Sequence, residues 1–252
     1  MMIRCLLSIA STVFCAFAWV EPCVAQTVSE RYLLAAANQA RAAEHLAPVH
    51  LDAGLARAAL THARVMAANH AISHRFPSEA DLSERAGYAG ARFSKVSENV
   101  GVAWNPAIIH DLWMQSPGHR ANIMDPGVDS VGLAVIADHG AFYAVEDFAM
   151  AVEVLPLAVQ EATVARLLEQ RGVHVLPPSH FARETCALNQ GFAGTRKPWY
   201  VMRYTTSDLS RLPEELTARM ATGKYHEAGI GACEHDPRDP FSSFHLAVML
   251  YP

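Results

Sequence analysis

The first half of the chain opens with apolar residues at helical spacing. Between residues 28 and 46 they recur every three or four positions, and Ser29 is the expected helix cap. Pro48 ends this segment, because the residue before a proline disfavours helical backbone. We expect Asp52 to cap a second helix, which continues to about Asn69 on the same spacing of apolar side chains.

The pattern is less regular from residue 71 to 97, where prolines and glycines interrupt it and only a short helix around 82–88 is predicted. A short amphipathic helix follows over about 106–115. The run Ser116-Pro117-Gly118 then breaks the chain, and residues 119–124 are expected to begin another helical turn.

The first clear strand signal comes after these helices. Residues 130–137 and 141–149 are rich in β-branched, aromatic and small apolar residues, and His139-Gly140 separates them. This is the pattern of a β-hairpin with a two-residue turn. Helices followed by an antiparallel hairpin favour an α+β fold over a doubly wound sheet.

The last hundred residues contain a second mixture of elements. Helices are predicted over about 160–170 and 213–220, and strands over 199–204, 227–233 and 243–251. The pattern therefore predicts an α+β extension after the first hairpin.

Two stretches of this extension resemble the earlier hairpin. SVGLAV at 130–135 is similar to AGIGAC at 228–233, and FYAV at 142–145 is similar to FHLAV at 244–248. A repeated helix-plus-hairpin unit explains this, and so does chance similarity between two ordinary hairpins.

Residues 1–25 are typical of a secretory signal peptide. A short basic start precedes an apolar run over 6–20, and small residues lead to a cleavage point expected after Ala25 or Gln26. A retained membrane anchor is the alternative, although the run is short for a span. No lipid-attachment box precedes the early cysteines. We expect a secreted, periplasmic or envelope protein with no integral membrane span after cleavage.

Two of the five cysteines, Cys186 and Cys233, lie outside this peptide. An even pair in an oxidising compartment predicts a disulfide, and two separate buried thiols are the alternative. The net charge of −5 is well mixed along the chain, without a basic tract. That composition argues against nucleic acid as a partner and against an electrostatic membrane anchor.

Six short motifs occur in order through the first half: NQAR at 38–41, LTHA at 60–63, SH at 73–74, SENVG at 97–101, WMQSPGHRANI at 113–123 and VGLAV at 131–135. In this order and spacing they resemble the CAP superfamily, which includes cysteine-rich secretory proteins, insect antigen 5 and plant pathogenesis-related proteins. The match is to its shorter, bacterial, SCP-like form and covers about residues 29–150.

The resemblance implies an α-β-α sandwich with a central antiparallel sheet, in agreement with the α+β pattern. We therefore expect a signal peptide at 1–25, a CAP-like domain at 26–152, and a C-terminal α+β extension at 153–252. The extension lies outside the family pattern; a partial repeat packed on the first domain is one explanation for it.

The resemblance also implies a cleft that contains His74, Glu98 and His119. Many family members have a fourth residue, a glutamate three positions after a tryptophan, but here Ser116 follows Trp113 at that spacing. Two neutral imidazoles could hold Zn²⁺ or another divalent metal, with Glu98 as ligand, orienting group or candidate catalytic base. The alternative is a polar cluster that only braces the fold.

Trp113, Ser116 and Arg120 are the other residues expected near this cleft, although Trp113 also suits simple packing of a helix on the sheet. Farther along, Glu146 and Asp147 are neighbours on a predicted strand. Since neighbouring strand residues face opposite sides, one of the two is expected to face solvent.

Three functions are compatible with the sequence. The first is an extracellular or envelope binding module for a lipid, glycan or protein, with an accessory His/Glu cleft. The second is a metal-dependent, peptidase-like hydrolase that uses His74, Glu98 and His119; no other standard catalytic signature is present. The third places the activity in residues 155–252, as a partner-binding layer or a cover over the cleft.

Overall fold

The computed structural model describes residues 26–234 and 241–252. The predicted signal peptide lies outside this range. Within it, the strands form two four-stranded sheets, one in each half of the chain.

The first half contains nine elements, in the order α1 (Val28–Ala43), β1 (His50–Leu51), α2 (Ala53–Asn69), α3 (Leu82–Tyr88), β2 (Phe93–Ala103), α4 (Pro106–Gln115), α5 (Pro117–Ile123), β3 (Ser130–Asp138) and β4 (Ala141–Ala151). Helix α1 is capped by Thr27 rather than Ser29: Thr27 accepts a hydrogen bond from Glu30 N, and the Glu30 carboxylate accepts one from Thr27 N.

Strand β2 was missed by the sequence pattern. It begins inside the segment predicted to be irregular and continues beyond it to Ala103. Buried polar residues such as Glu98 and Asn99 interrupt its apolar alternation. This strand carries one of the residues expected in the cleft.

The first sheet has the strand order β1-β3-β4-β2. Its pairs are antiparallel except that the two-residue β1 runs parallel to β3. Leu33 of α1 and Trp113 of α4 belong to the core on one face, while Met66 of α2 belongs to the core on the other. The α-β-α sandwich predicted for this half is therefore confirmed.

The second half contains α6 (Leu157–Glu169), β5 (His174–Val175), α7 (His180–Ala187), β6 (Tyr200–Thr206), α8 (Glu214–Met220), β7 (Glu227–Cys233) and β8 (Phe244–Tyr251). The sequence pattern missed β5 and α7, which are only two and eight residues long. Its sheet has the order β5-β7-β8-β6, so each strand has a counterpart in the first sheet.

Matching contacts fix the correspondence between the two sheets. Glu30 of α1 accepts a hydrogen bond from Val135 N at 3.2 Å, and Glu161 of α6 accepts one from Ala232 N at 3.0 Å. The strand registers place Val135 and Ala232 at equivalent positions. By this register, residues 130–135 correspond to 227–232, one residue from the match that the sequence suggested.

The two halves touch around the start of β2. Ser242 N donates a hydrogen bond to Phe93 O at 2.7 Å, and the rings of Phe93 and Phe241 meet edge to face. The predicted disulfide is confirmed: Cys186 of α7 is bonded to Cys233 at the end of β7. Across the described residues, no helix combines the length and apolar character needed to span a membrane.

Candidate functional site

His74 and Glu98, which the family resemblance assigns to one cleft, are in direct contact. Glu98 lies on β2 with its side chain 2% exposed, whereas the His74 side chain, in the loop after α2, is 62% exposed. His74 Nδ1 and Glu98 Oε1 are 2.9 Å apart. This hydrogen bond raises the pKa of His74 above its ordinary value.

The other oxygen of Glu98 is taken by Arg85, which the sequence analysis did not single out. Arg85 Nη2 donates to Glu98 Oε2, and its Nη1 donates to His74 O at 3.1 Å. Arg85 therefore fixes both the carboxylate and the loop that carries His74. A buried carboxylate requires a cationic partner, but the sequence does not reveal that this partner lies on α3.

His62 holds the same loop from the other side. Its ring is fully buried, with Nε2 2.8 Å from Ser73 O and Nδ1 2.9 Å from Glu79 Oε1. The Nε2 atom lies 3.8 Å from Glu98 Oε2. His62 thus braces the loop beside His74 and remains inaccessible to solvent.

His119 lies on α5, close to His74. Its ring centroid is 6.4 Å from that of His74. Burial lowers the pKa of His119, and the neighbouring His74 lowers it further. Asn99 Nδ2 donates to His119 O, while Asn122 Nδ2 donates to Glu98 O and to Asn99 Oδ1, so two asparagines tie α5 to the strand.

An apolar groove of about 230 Å³ is lined by residues of β2 and α4, together with His119. Its lining residues are Ile72, Val100, Gly101, Val102, Ile109, Leu112, Trp113, Ser116 and His119. Gly101 is required for close packing here, because a Cβ would lie 2.8 Å from Ile109 Cγ2 and 3.0 Å from Trp113 Nε1.

The groove contains two of the three further cleft residues predicted from the sequence. Trp113 is 2% exposed and donates from Nε1 to Val100 O at 2.9 Å, so it packs α4 on the sheet and forms the groove floor. Ser116 lines the groove, where the family pattern has a glutamate. Arg120 is not brought to it; its guanidinium pairs with Glu44 on the surface at 3.1 Å.

Glu146 and Asp147 are both fully buried, so the expectation that one faces solvent was wrong. Strand β4 lies inside a sheet that helices cover on both faces. Side chains that alternate along it are therefore buried on either face. Burial raises the pKa of Glu146 to about 8, and Asn99 across the strand pair offsets part of that effect. Neither oxygen of Glu146 has a well-aligned hydrogen bond.

Asp147 lies on the same face as Glu98, opposite it in the β2–β4 register. Burial raises the pKa of Asp147 well above its ordinary value, and the negative charge of Glu98 raises it further. The cleft is therefore underlain by carboxyl groups that favour the protonated form.

In the cleft, only the imidazoles of His74 and His119 are suited to bind a metal. Both oxygens of Glu98 already have partners, so it occupies the position of an outer orienting group. In the part of the chain that the structure describes, one set of three His, Asp or Glu side chains brings its ligand atoms within 4.8 Å of one another. That set is His70, Asp138 and His139, outside the cleft.

Comparisons with solved structures give partial, low-identity matches. An extracellular protein with an SCP domain from Bacillus anthracis matches at 21% identity and TM-score 0.45, over 48% of this chain and 40% of that one. An outer surface protein of Borrelia burgdorferi matches at 17% identity and TM-score 0.46, over 49% and 92%. A cysteine-rich secretory protein of Staphylococcus aureus matches at 24% identity and TM-score 0.40, over 48% of this chain and 38% of that one.

This chain thus spans well under half the length of the Bacillus and Staphylococcus proteins. A search of curated protein sequences gives no match. The family model described as "CAP: Cysteine-rich secretory protein family" matches residues 34–148, which include α2, β2, the cleft and most of the β3–β4 hairpin. The chain therefore contains, over these residues, a domain of the cysteine-rich secretory protein family.

Proposed function

We propose that this protein is an extracellular or envelope binding module that holds a small amphiphilic ligand in the groove along β2. The observation that carries the proposal is the groove itself, in which apolar side chains lead to His119 and Ser116 at one end. At about 230 Å³ it is smaller than the roughly 300–1,000 Å³ of drug-sized ligand sites. It would accept a short apolar chain, with a polar head directed towards the imidazoles.

The position of Glu98 favours binding over hydrolysis. A general base must reach the proton that it removes, yet Glu98 is buried and contacts Arg85 and His74 through its two oxygens. It acts on the cleft by orienting His74. This geometry disfavours Glu98 as the base of a peptidase-like hydrolase.

A divalent metal such as Zn²⁺ would be held by His74 and His119, with water in the remaining positions. The lowered pKa of His119 favours the neutral imidazole, the form that binds a metal. Glu98 engages Nδ1 of His74 and leaves Nε2 as the ligating atom. When bound, the metal would supply positive charge for an anionic ligand head.

Secretion or retention in the envelope is supported by the disulfide between Cys186 and Cys233. It is also supported by the match of residues 34–148 to the cysteine-rich secretory protein family. The signal-like sequence at the N-terminus agrees with this location.

Decanoate binding, measured by calorimetry with and without Zn²⁺, tests the proposal. Leu112 lines the groove and is 51% exposed, so Leu112→Asn should weaken binding by about tenfold or more through lost apolar contact. Leu188→Asn is the matched control, because Leu188 is also partly exposed but lies in the second half. The His74→Ala, His119→Ala variant should lose the zinc-dependent part of the binding.

Absence of decanoate binding, or equal weakening by both leucine substitutions, would overturn the groove as the ligand site. Zinc-dependent ester or peptide turnover that disappears in the double histidine variant would replace the binding module with the hydrolase.

A further inference from the structure

A second histidine cluster lies where α2 and the β3–β4 hairpin end. Gly132 brings β3 against the start of α2, since a Cβ there would lie 2.1 Å from Leu55 C. From Leu55 to His70 the helix advances about 22 Å, at 1.5 Å per residue. From Gly132 to Asp138 the strand advances about 20 Å, at 3.3 Å per residue. The two elements therefore finish side by side.

Three potential metal ligands meet at this end. His70 Nδ1 lies 3.3 Å from Asp138 Oδ2, and His139 Nδ1 lies 2.8 Å from the same oxygen. The ring centroids of His70 and His139 are 5.1 Å apart, and one ligand atom of each of the three residues lies within 4.8 Å of the others. Ligand atoms on one tetrahedral zinc ion are separated by about 3.3 Å, given bonds of about 2.0–2.1 Å.

The local backbone does not require histidine at either position. His70 caps α2 with φ 49°, and His139 precedes Gly140 in the two-residue turn with φ 46°. Asparagine and glycine are the residues preferred at such left-handed positions. The backbone conformation therefore does not explain why these two residues are histidines.

The cluster is open to solvent. The side chains of His70, Asp138 and His139 are 61%, 32% and 79% exposed. An ion could enter without rearrangement of the fold, and coordination positions would remain for water or for a ligand from another molecule.

We propose that His70, Asp138 and His139 form a binding site for a divalent transition-metal ion, separate from the His74/His119 cleft. Two imidazoles and one carboxylate are a donor set suited to Zn²⁺ and to its neighbours in the first transition row. The site is independent of the groove and of the function proposed for it.

Zinc titration of the full chain by calorimetry tests this assignment. Because Asp138 raises the pKa of His139, the titration is best run at about pH 8, above the ordinary histidine pKa of about 6.5. His70→Asn, His139→Asn removes both imidazoles and keeps residues that tolerate left-handed backbone. We expect this variant to lose one equivalent of bound zinc, or to bind that equivalent more than about tenfold more weakly.

Two controls separate this site from others. His45 is an exposed histidine with φ 58° outside the cluster, so His45→Asn should leave zinc binding unchanged. The His74→Ala, His119→Ala variant should still bind zinc at the His70/Asp138/His139 site, whether or not the cleft also binds zinc. Unchanged binding in the His70→Asn, His139→Asn variant, or no zinc binding by the unaltered protein, would overturn the proposal.

Discussion

The two halves of this protein use one sheet topology with different interiors. In the first sheet Glu98 pairs with Asp147 and Asn99 with Glu146 across β2 and β4. The equivalent pairs of the second sheet are Val201 with Met249 and Met202 with Val248, across β6 and β8. The positions that carry buried polar groups in one half are thus apolar in the other.

This difference shows that the sheet topology does not require the buried polar residues of the first half. A sheet with the same strand order forms without acids at these positions, so the topology does not depend on them. A buried carboxyl without good hydrogen bonds lowers stability. Glu146 and Asp147 therefore lower the stability of the first half, a cost that the second half avoids at the equivalent positions.

The largest effect is expected from the glycines that let a helix approach each sheet. A Cβ on Gly231 would lie 1.9 Å from Ala182 O, so Gly231→Ala should destabilise the second half by at least about 4 kcal/mol or prevent its folding. Gly118 has no atom within 4 Å of an added Cβ, and Gly118→Ala is the control. Urea unfolding measures both variants; a Gly231→Ala protein as stable as the control would show that α7 does not need this approach.

The next effect concerns the buried acids directly. The pKa of Glu146 is raised from 4.5 to about 8, so its contribution to stability is complete below about pH 4.5 and is lost as pH rises through 8. Glu146→Gln should remove this loss and raise the free energy of unfolding by roughly 3 kcal/mol at pH 7.

Unfolding curves between about pH 5 and pH 8 check this prediction: the fall of the unfolding free energy with pH should be about 1.4 kcal/mol per pH unit shallower in the variant. Exposed Glu214→Gln serves as the control. If Glu146→Gln kept the original pH slope, the contrast between the polar and apolar sheets would not arise from this residue.

The smallest effect tests the feature that the halves share. Glu30→Gln and Glu161→Gln each weaken the contact from a helix to Val135 N or Ala232 N, and each should cost about 1–2 kcal/mol. Since the contacts lie in different halves, the double variant should be additive within about 0.5 kcal/mol. A larger deviation in chemical denaturation would mean that the two sheets are energetically coupled.

Sequence patterns predicted elements whose apolar residues follow one period, such as α2 and the β3–β4 hairpin. They missed β2, whose buried Glu98 and Asn99 break the alternation, and α7, which is too short for a period to show. The cleft histidines were found only through family motifs, because His74 and His119 are 45 positions apart in the sequence. The partnership of Arg85 with Glu98 depends on tertiary packing and had no local signal.

The hydrogen bonds along β2 have a further consequence for aggregation. An eleven-residue strand at the edge of a sheet could pair with a strand of another molecule. Here Asn122 and Trp113 occupy the outward carbonyls of Glu98 and Val100 through their side chains. The contacts that shape the cleft and the groove therefore also protect this edge, so a variant that opens the groove by removing Trp113 would expose a template for self-association.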